Sequence, residues 1–299
     1  MKLLEHVVTI PTFTTPLTII PIGCVHADDE GFDEDLFQAT IHRIATTPHC
    51  YTVGLGDYRS FARTTYRKHI RSYQADEDSQ RDIDNLVRQQ VEDFHKKYLK
   101  AITPKLWGLA EGNHYWQFLD GTTDTQYLCQ LAKVPYLEKG SFHRLRVSVA
   151  GQPRVLKMLI HHGDWSGGAQ TTGGDINAAE SRTHAWDADI AIFGHTHRKA
   201  ASIQPIMTLP DTGQLTLVER PKATIRAGCF TKGYVQGCIT YAERKLMKPT
   251  ALGTVVLRVE WKRPYNAERY HDQLRAGKSP AEARKSAYMP LRHKFIVEY

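Results

Sequence analysis

Five short polar motifs are spread along the chain: Cys24-Val25-His26, Gly56-Asp57, Gly112-Asn113-His114, His162-Gly163 and Gly194-His195-Thr196-His197. Each alone is weak, since a His-x-His pair arises by chance and a Gly-Asp pair is an ordinary turn. Together they offer imidazoles, a carboxylate, an amide oxygen and a thiol, which is a donor set for two divalent metal ions. Two such cations close together clamp a phosphate group and acidify a water between them, the chemistry of phosphate-ester hydrolysis. Residues two apart on a strand face the same way, so Cys24 with His26, and His195 with His197, are expected to converge.

The elements that must position these motifs read as alternating strands and helices. Residues 4–10 and 17–23 are β-branched runs split by Pro11 and Pro16, an edge strand followed by a buried one. Leu36, Phe37, Ile41 and Ile44 have helical spacing within residues 35–46. Residues 51–56 form a strand ending at a glycine. The longest helical pattern, residues 80–101, puts Ile83, Leu86, Val87, Val91, Phe94 and Tyr98 on one face, with Ser79 as the expected N-cap. Residues 106–110, 155–160 and 189–194 read as buried strands, each running into one of the motifs. Functional residues gather beyond strand ends in layered α/β proteins, so this recurrence is informative. Beyond residue 250 come a strand, a short helix opened by the capping box Ser279-Pro280-Ala281-Glu282, and a final strand.

The ordered motif set resembles the calcineurin-like metallophosphoesterases, whose pattern is D-x-H, G-D, G-N-H-(D/E), H-G and G-H-x-H. The resemblance covers roughly residues 17–260. The stretch AGCF-x-x-GY followed by TYAERKLMKP-x-x-LG looks like the closing region of phage and prophage members. The resemblance implies an α/β four-layer αββα sandwich, two mixed sheets flanked by helices, as a single domain over 1–299 with 261–299 a basic C-terminal extension packed on it. It further implies one metal held by Cys24, His26, Asp57 and His197. A second would be held by Asp57, Asn113, His162 and His195, with Asp57 bridging. The implied activity is a dinuclear metal-dependent phosphoesterase in which a hydroxide shared by the metals attacks in line. His114 would act on the phosphoryl oxygens or the leaving group. The alternatives are a phosphomonoesterase acting on a small metabolite and a catalytically weakened binding module on the same scaffold.

Three positions depart from that pattern. Cys24 stands where the family has Asp, either as a buried small side chain or as a thiolate ligand. The ligand reading keeps the charge and favours zinc or iron over manganese or magnesium. Asp28 is a possible substitute ligand. Tyr115 replaces the acidic residue after Gly-Asn-His, which in the family orients the catalytic histidine. The stretch GDYRS lacks the second Asp found in protein Ser/Thr phosphatases. His161 should face away from His162 and is read as structural.

Arg59, Arg63, Arg67 and Arg71 recur every four residues after Asp57, with Tyr58, Phe61, Tyr66 and Tyr73 between them. On a helix they would form a basic stripe leading to the metals, or a solvated face balanced by Asp76 and Asp78. The glycine-rich residues 163–174 would either shape the pocket, with Asp164 and Trp165 at its edge, or form a surface connection. Among 299 residues, 39 are Lys or Arg and 32 Asp or Glu, a net charge of +7. Residues 261–299 hold nine basic side chains against four acidic ones, so most of the excess sits there. An anionic partner is expected, with DNA or RNA phosphodiesters leading. Five cysteines at scattered spacings argue for a reducing compartment. Glu5 and His6 interrupt the short N-terminal apolar run, and no run is long enough for a membrane span. A cytoplasmic protein without a membrane partner is the expectation.

Overall fold

The structure is a computed structural model and describes residues 1–60, 77–165, 171–209, 217–244, 246–263, 265–288 and 291–299. Its strands, in chain order, are β1 (Lys2–Ile10), β2 (Leu17–Ile19), β3 (Cys50–Gly54), β4 (Leu106–Leu109), β5 (Gly140–Val149) and β6 (Gln152–His161), followed by β7 (Ile190–Phe193), β8 (Lys199–Thr208), β9 (Val218–Cys229), β10 (Gly253–Thr254), β11 (Val256–Lys262) and β12 (Arg292–Glu298). Helices are α1 (Glu34–Thr46), α2 (Glu77–Phe94), α3 (Asp124–Ala132), α4 (Thr172–Thr183), α5 (Tyr241–Arg244), α6 (Ala267–Arg275) and α7 (Pro280–Ala287).

The strands make two mixed sheets. A seven-stranded sheet runs β1-β5-β6-β7-β9-β10, with β8 also on β9, and a five-stranded sheet runs β12-β11-β2-β3-β4. Parallel pairs such as β6 with β7 and β2 with β3 sit beside antiparallel ones such as β5 with β6 and β11 with β12. Strand alternation explains how the sheets stack. Val8, Ile10, Leu145, Val147, Leu156, Met158, Ile190, Ile192 and Ile225 face Leu17, Ile19, Val53, Leu257, Val259 and Trp261 across one apolar layer. The other face of the five-stranded sheet is covered by α1, α2 and α3 through Phe37, Ile41, Val87, Val91, Phe94 and Leu128. The outer face of the seven-stranded sheet carries a smaller cluster of Leu159, Ala179, Ala191 and Phe193 under α4. The layers are therefore helix, sheet, sheet, helix, as the expected sandwich requires. Truncating one side chain of the central layer, such as Ile192, to Ala costs about 2–5 kcal/mol by the usual cavity effect.

Several local expectations change. α2 already begins at Glu77, so Ser79 lies inside the helix rather than capping it. Leu86 is exposed on its surface while Val87, Val91 and Phe94 are buried. A π-helical turn over His95–Leu99 continues the helix and buries Tyr98. Gly173 and Gly174 belong to the first turn of α4, capped by Thr171, so the glycine-rich stretch is partly helix. Residues 166–170 of that stretch lie outside the described residues. Two helices, not one, stand between β11 and β12, and the second has the expected reciprocal Ser279–Glu282 capping box.

Candidate metal centre

β2, β3, β4, β6 and β7 all end on one side of the sandwich, and the five polar motifs follow them. The expectation that strand pleat brings Cys24 to His26 and His195 to His197 is corrected by the backbone. None of the four lies in a strand. Cys24, His26, Asp57, His195 and His197 instead have φ of 47°, 48°, 54°, 71° and 60°. Left-handed backbone is unusual for residues with a side chain and costs on the order of 1–3 kcal/mol each. Positive φ on either side of Val25 and of Thr196 accompanies the convergence of both side chains of each pair on the donor groups.

Hydrogen bonds between the motif loops hold these kinks. The N–H groups of Val25 and His26 both donate to the Asp57 carbonyl, at 2.8 and 3.1 Å, and that of Cys24 donates to Gly56 at 2.9 Å. The Gly56 and Gly112 loops touch backbone to backbone. A Cβ on Gly112 would lie 1.8 Å from Asp57 Oδ1, so only glycine fits there. That close approach lets the His114 N–H donate to Asp57 Oδ1 at 2.9 Å.

The donors form two adjoining groups. Ligand atoms of Cys24, His26 and His197 lie within 4.8 Å of one another, as do those of Asp57, His162 and His195. Asp57 links them, its Oδ2 3.3 Å from His162 Nε2 and 4.0 Å from His26 Nε2. Asn113 Oδ1 lies 2.8 Å from His162 Nε2 and 2.9 Å from His195 Nδ1. His26 and His197 meet Nε2 to Nε2 at 3.2 Å. The seven expected ligand positions are thus brought together. Asp28 is not among them: its carboxylate accepts the Ser60 N–H at 2.5 Å.

Outer partners set how the rings present themselves. His162 Nδ1–H donates to the Leu55 carbonyl at 2.6 Å, which turns Nε2 toward Asn113 Oδ1 and Asp57 Oδ2. An imidazole nitrogen, an amide oxygen and a carboxylate oxygen converging there are donors that suit a divalent cation. His26 Nδ1 is engaged by Ser60 Oγ at 2.7 Å. Burial pushes His26 down to about 3, with Asp57 working against it, and pushes His195 and His197 down to about 4. These three rings are neutral at pH 7, the form that binds metal. Burial would raise the Asp57 carboxyl, but its charge interaction and hydrogen bond with His162 outweigh that and hold Asp57 well below the usual carboxylate range. Burial, then the charges of Asp57 and Cys229, raise the Cys24 thiol well above its ordinary value, opposed by the His195 N–H that donates to its Sγ at 3.1 Å.

His114 stands at the edge of the donor groups, its ring edge-on to that of His26 at 5.2 Å. The segment carrying it is fixed one residue beyond Tyr115. The Trp116 N–H donates to Asp124 at 2.8 Å and its indole N–H to Asp84 at 2.7 Å. Asp164 is ion-paired with Lys139 at 3.2 Å, and the same ammonium donates to the Gly112 carbonyl at 2.6 Å. Arg59 is half-buried three residues beyond Gly56, and Arg63 and Arg67 lie outside the described residues. His161 ends β6 and accepts the Gly163 N–H on Nδ1 at 2.9 Å, a structural use. Sequence reasoning missed Ser60, Lys139, Asp175 and Arg226, none of which belongs to a recognisable spacing.

No protein-family model matches the chain, and no curated protein matches it in sequence. Among solved structures it is similar to a single mutant of Vps29 from Entamoeba histolytica. That alignment covers 94% of this chain and 99% of the other at 10% identity, with a TM-score of 0.40. It is also similar to Vps29 from Chaetomium thermophilum, covering 94% and 96% at 11% identity with a TM-score of 0.36.

Proposed function

We propose that this protein is a metallophosphoesterase that uses two divalent metal ions to hydrolyse phosphate esters, with nucleic-acid or nucleotide phosphodiesters as the leading substrates. The observation that carries the reading is the pair of adjoining donor groups linked by Asp57, built on strained backbone and composed of imidazoles around an ionised carboxylate. One group would hold a metal through Cys24, His26 and His197, the other through Asn113, His162 and His195, with Asp57 shared. Bound there, the metals would neutralise the phosphate and lower the pKa of a coordinated water.

The chain's own residues supply the rest. Asp57 is locked by the His114 N–H, so the carboxylate that joins the groups cannot rotate away. The His114 ring stands edge-on to that of His26 at 5.2 Å, beside the donors, where it would pass a proton to a substrate's leaving oxygen. Lys139 spans the loops after β4 and β6 and places a positive charge beside Asp164 at the rim. A thiolate at Cys24 favours zinc or iron; manganese is the third candidate.

The test is elemental analysis of protein never exposed to chelator, combined with hydrolysis of bis(p-nitrophenyl) phosphate and of a matching monoester. Two equivalents of transition metal and chelator-sensitive diester hydrolysis are expected, and Asp57→Asn should lower turnover by orders of magnitude in a folded protein. Metal without hydrolysis of either ester would identify a binding module. Monoester preference would point to a small metabolite. Absence of metal would overturn the reading.

A further inference from the structure

Against the histidine loop lies an ion pair with no exposure at all. Arg226 on β9 and Asp175 in the first turn of α4 are both 0% exposed, with Nη2 and Oδ1 2.9 Å apart. Burying two charges is costly, and apolar side chains of similar volume commonly stabilise a fold as well or better. Apolar packing would fill the same space, so the contacts of the pair are what distinguish it.

Arg226 sits opposite Phe193 in the β7–β9 register, at the last residue before the loop. Its Nη1 donates to the Gly194 carbonyl at 3.0 Å. The second oxygen of Asp175 accepts the Thr196 hydroxyl at 2.7 Å. The pair thus grips the loop at Gly194, directly before His195, and at Thr196, between the two left-handed histidines. The guanidinium also touches the loop after β6. The Trp165 ring lies 4.4 Å from it, and a Cβ on Gly163 would come within 2.9 Å of Nη1. One buried charge pair is therefore wedged between the segments that carry His162, His195 and His197.

We infer that the Asp175–Arg226 pair, acting through Thr196, positions His195 and His197 in the left-handed geometry that presents them to metal. Asp175, Arg226 and Thr196 are positioning residues; none supplies a donor atom to either group. The inference rests on the metal reading above. Without the grip, each histidine can relax toward ordinary backbone and its nitrogen leaves the site, so affinity is lost before the fold is.

The experiment titrates the metal-free full chain with Zn2+ against a chelating dye and records its melting temperature alongside. Thr196→Val removes the hydroxyl and little else; it should bind Zn2+ about 10–100-fold more weakly, the usual effect of losing an outer partner. Its melting temperature should drop by only a few degrees. Thr196→Ser should restore affinity to near the wild-type value. The double variant Asp175→Leu with Arg226→Met replaces the pair by apolar packing and should melt at or near the wild-type temperature yet bind Zn2+ weakly. Wild-type affinity in Thr196→Val, or in a folded double variant, would overturn the inference while leaving the metal reading intact. Failure of the wild type itself to bind Zn2+ would overturn the metal reading and this inference with it, and is read from the wild type alone.

Discussion

At the residue scale the site depends on side chains whose neighbours leave them one role. Cys24 Sγ lies with His26 and His197 in one donor group and is buried. If sulfur is a ligand, Cys24→Asp should keep two metals bound but move the preference from zinc toward manganese, measured by competition between the two ions. An unchanged preference would show that the thiol is only packing. His114 offers its backbone N–H to Asp57 and keeps its ring outside both donor groups. His114→Ala should therefore lower turnover by roughly 10²–10⁴-fold with metal content unchanged, as expected for a lost general acid. The loss should be larger for alkyl leaving groups than for nitrophenyl ones, since nitrophenolate departs without a proton. Loss of metal in that variant would mean the ring is a ligand after all.

At the element scale, the ends of β3 and β4 are held so close that glycine is obligatory on both sides. Gly112→Ala would drive a methyl group into Asp57 Oδ1. The loop must move, so metal content should fall sharply, and stability by about 1–3 kcal/mol as for other overpacked sites. Elemental analysis and thermal melting check the two effects separately. A second element-level feature joins β1 to β5. His143 is buried with Nε2 2.6 Å from Ser141 Oγ and Nδ1 2.9 Å from His6 Nε2. Burial, aided by His6, pushes His143 down to about 3, and burial pushes His6 down to about 4. An unfolded chain protonates its histidines near pH 6.5 and the folded one refuses the proton. Stability contributed by the neutral His143 is therefore fully present above about pH 6.5 and erodes as the pH falls toward its folded value. The slope for this one residue approaches about 1.4 kcal/mol per pH unit. Urea titrations of metal-free His143→Phe between pH 7 and pH 4.5 should show a flatter acid limb than the wild type. Parallel limbs would refute the assignment.

At the scale of the whole molecule, the basic C-terminal region and the metal centre stand at opposite ends. β2 runs toward Cys24, and β11 runs antiparallel to it, with Leu257 opposite Ile19 and Val259 opposite Leu17. Lys262 and the start of β12 are thus at the far end, where α6 and α7 emerge. Tyr265 and Tyr288 are exposed there with their rings 5.2 Å apart, and Arg263 lies 4.6 Å over Tyr288. A continuous path from tail to metals does not suit this arrangement. If the far end holds nucleic acid, it does so independently of hydrolysis. Reversing Lys278, Arg284 and Lys285 to Glu should weaken oligonucleotide binding and flatten its salt dependence, by about 0.7 in log–log slope for each phosphate of a single strand that is no longer neutralised. Hydrolysis of a small aryl diester should stay as in the wild type. Equal loss of both would mean that the substitutions disturb the fold rather than a separate nucleic-acid surface. Among the described residues no helix is long and apolar enough to cross a membrane.

The motifs and the strand and helix alternation were legible in the sequence because each is local. Imidazole, carboxylate and thiol chemistry belongs to residue type, and periodicity reports which face is buried. Helix α1, the capping box at Ser279 and the strands that precede Asp57, Asn113, His162 and His195 all follow from such short-range rules. The way the donors converge did not, since the left-handed backbone at Cys24, His26, Asp57, His195 and His197 is imposed by contacts between segments far apart in the chain. Gly112 against Asp57, and Arg226 with Asp175 against Thr196, carry no mark of spacing. Tertiary packing decided them, because strained backbone and buried charge persist only where the surrounding structure over-determines them.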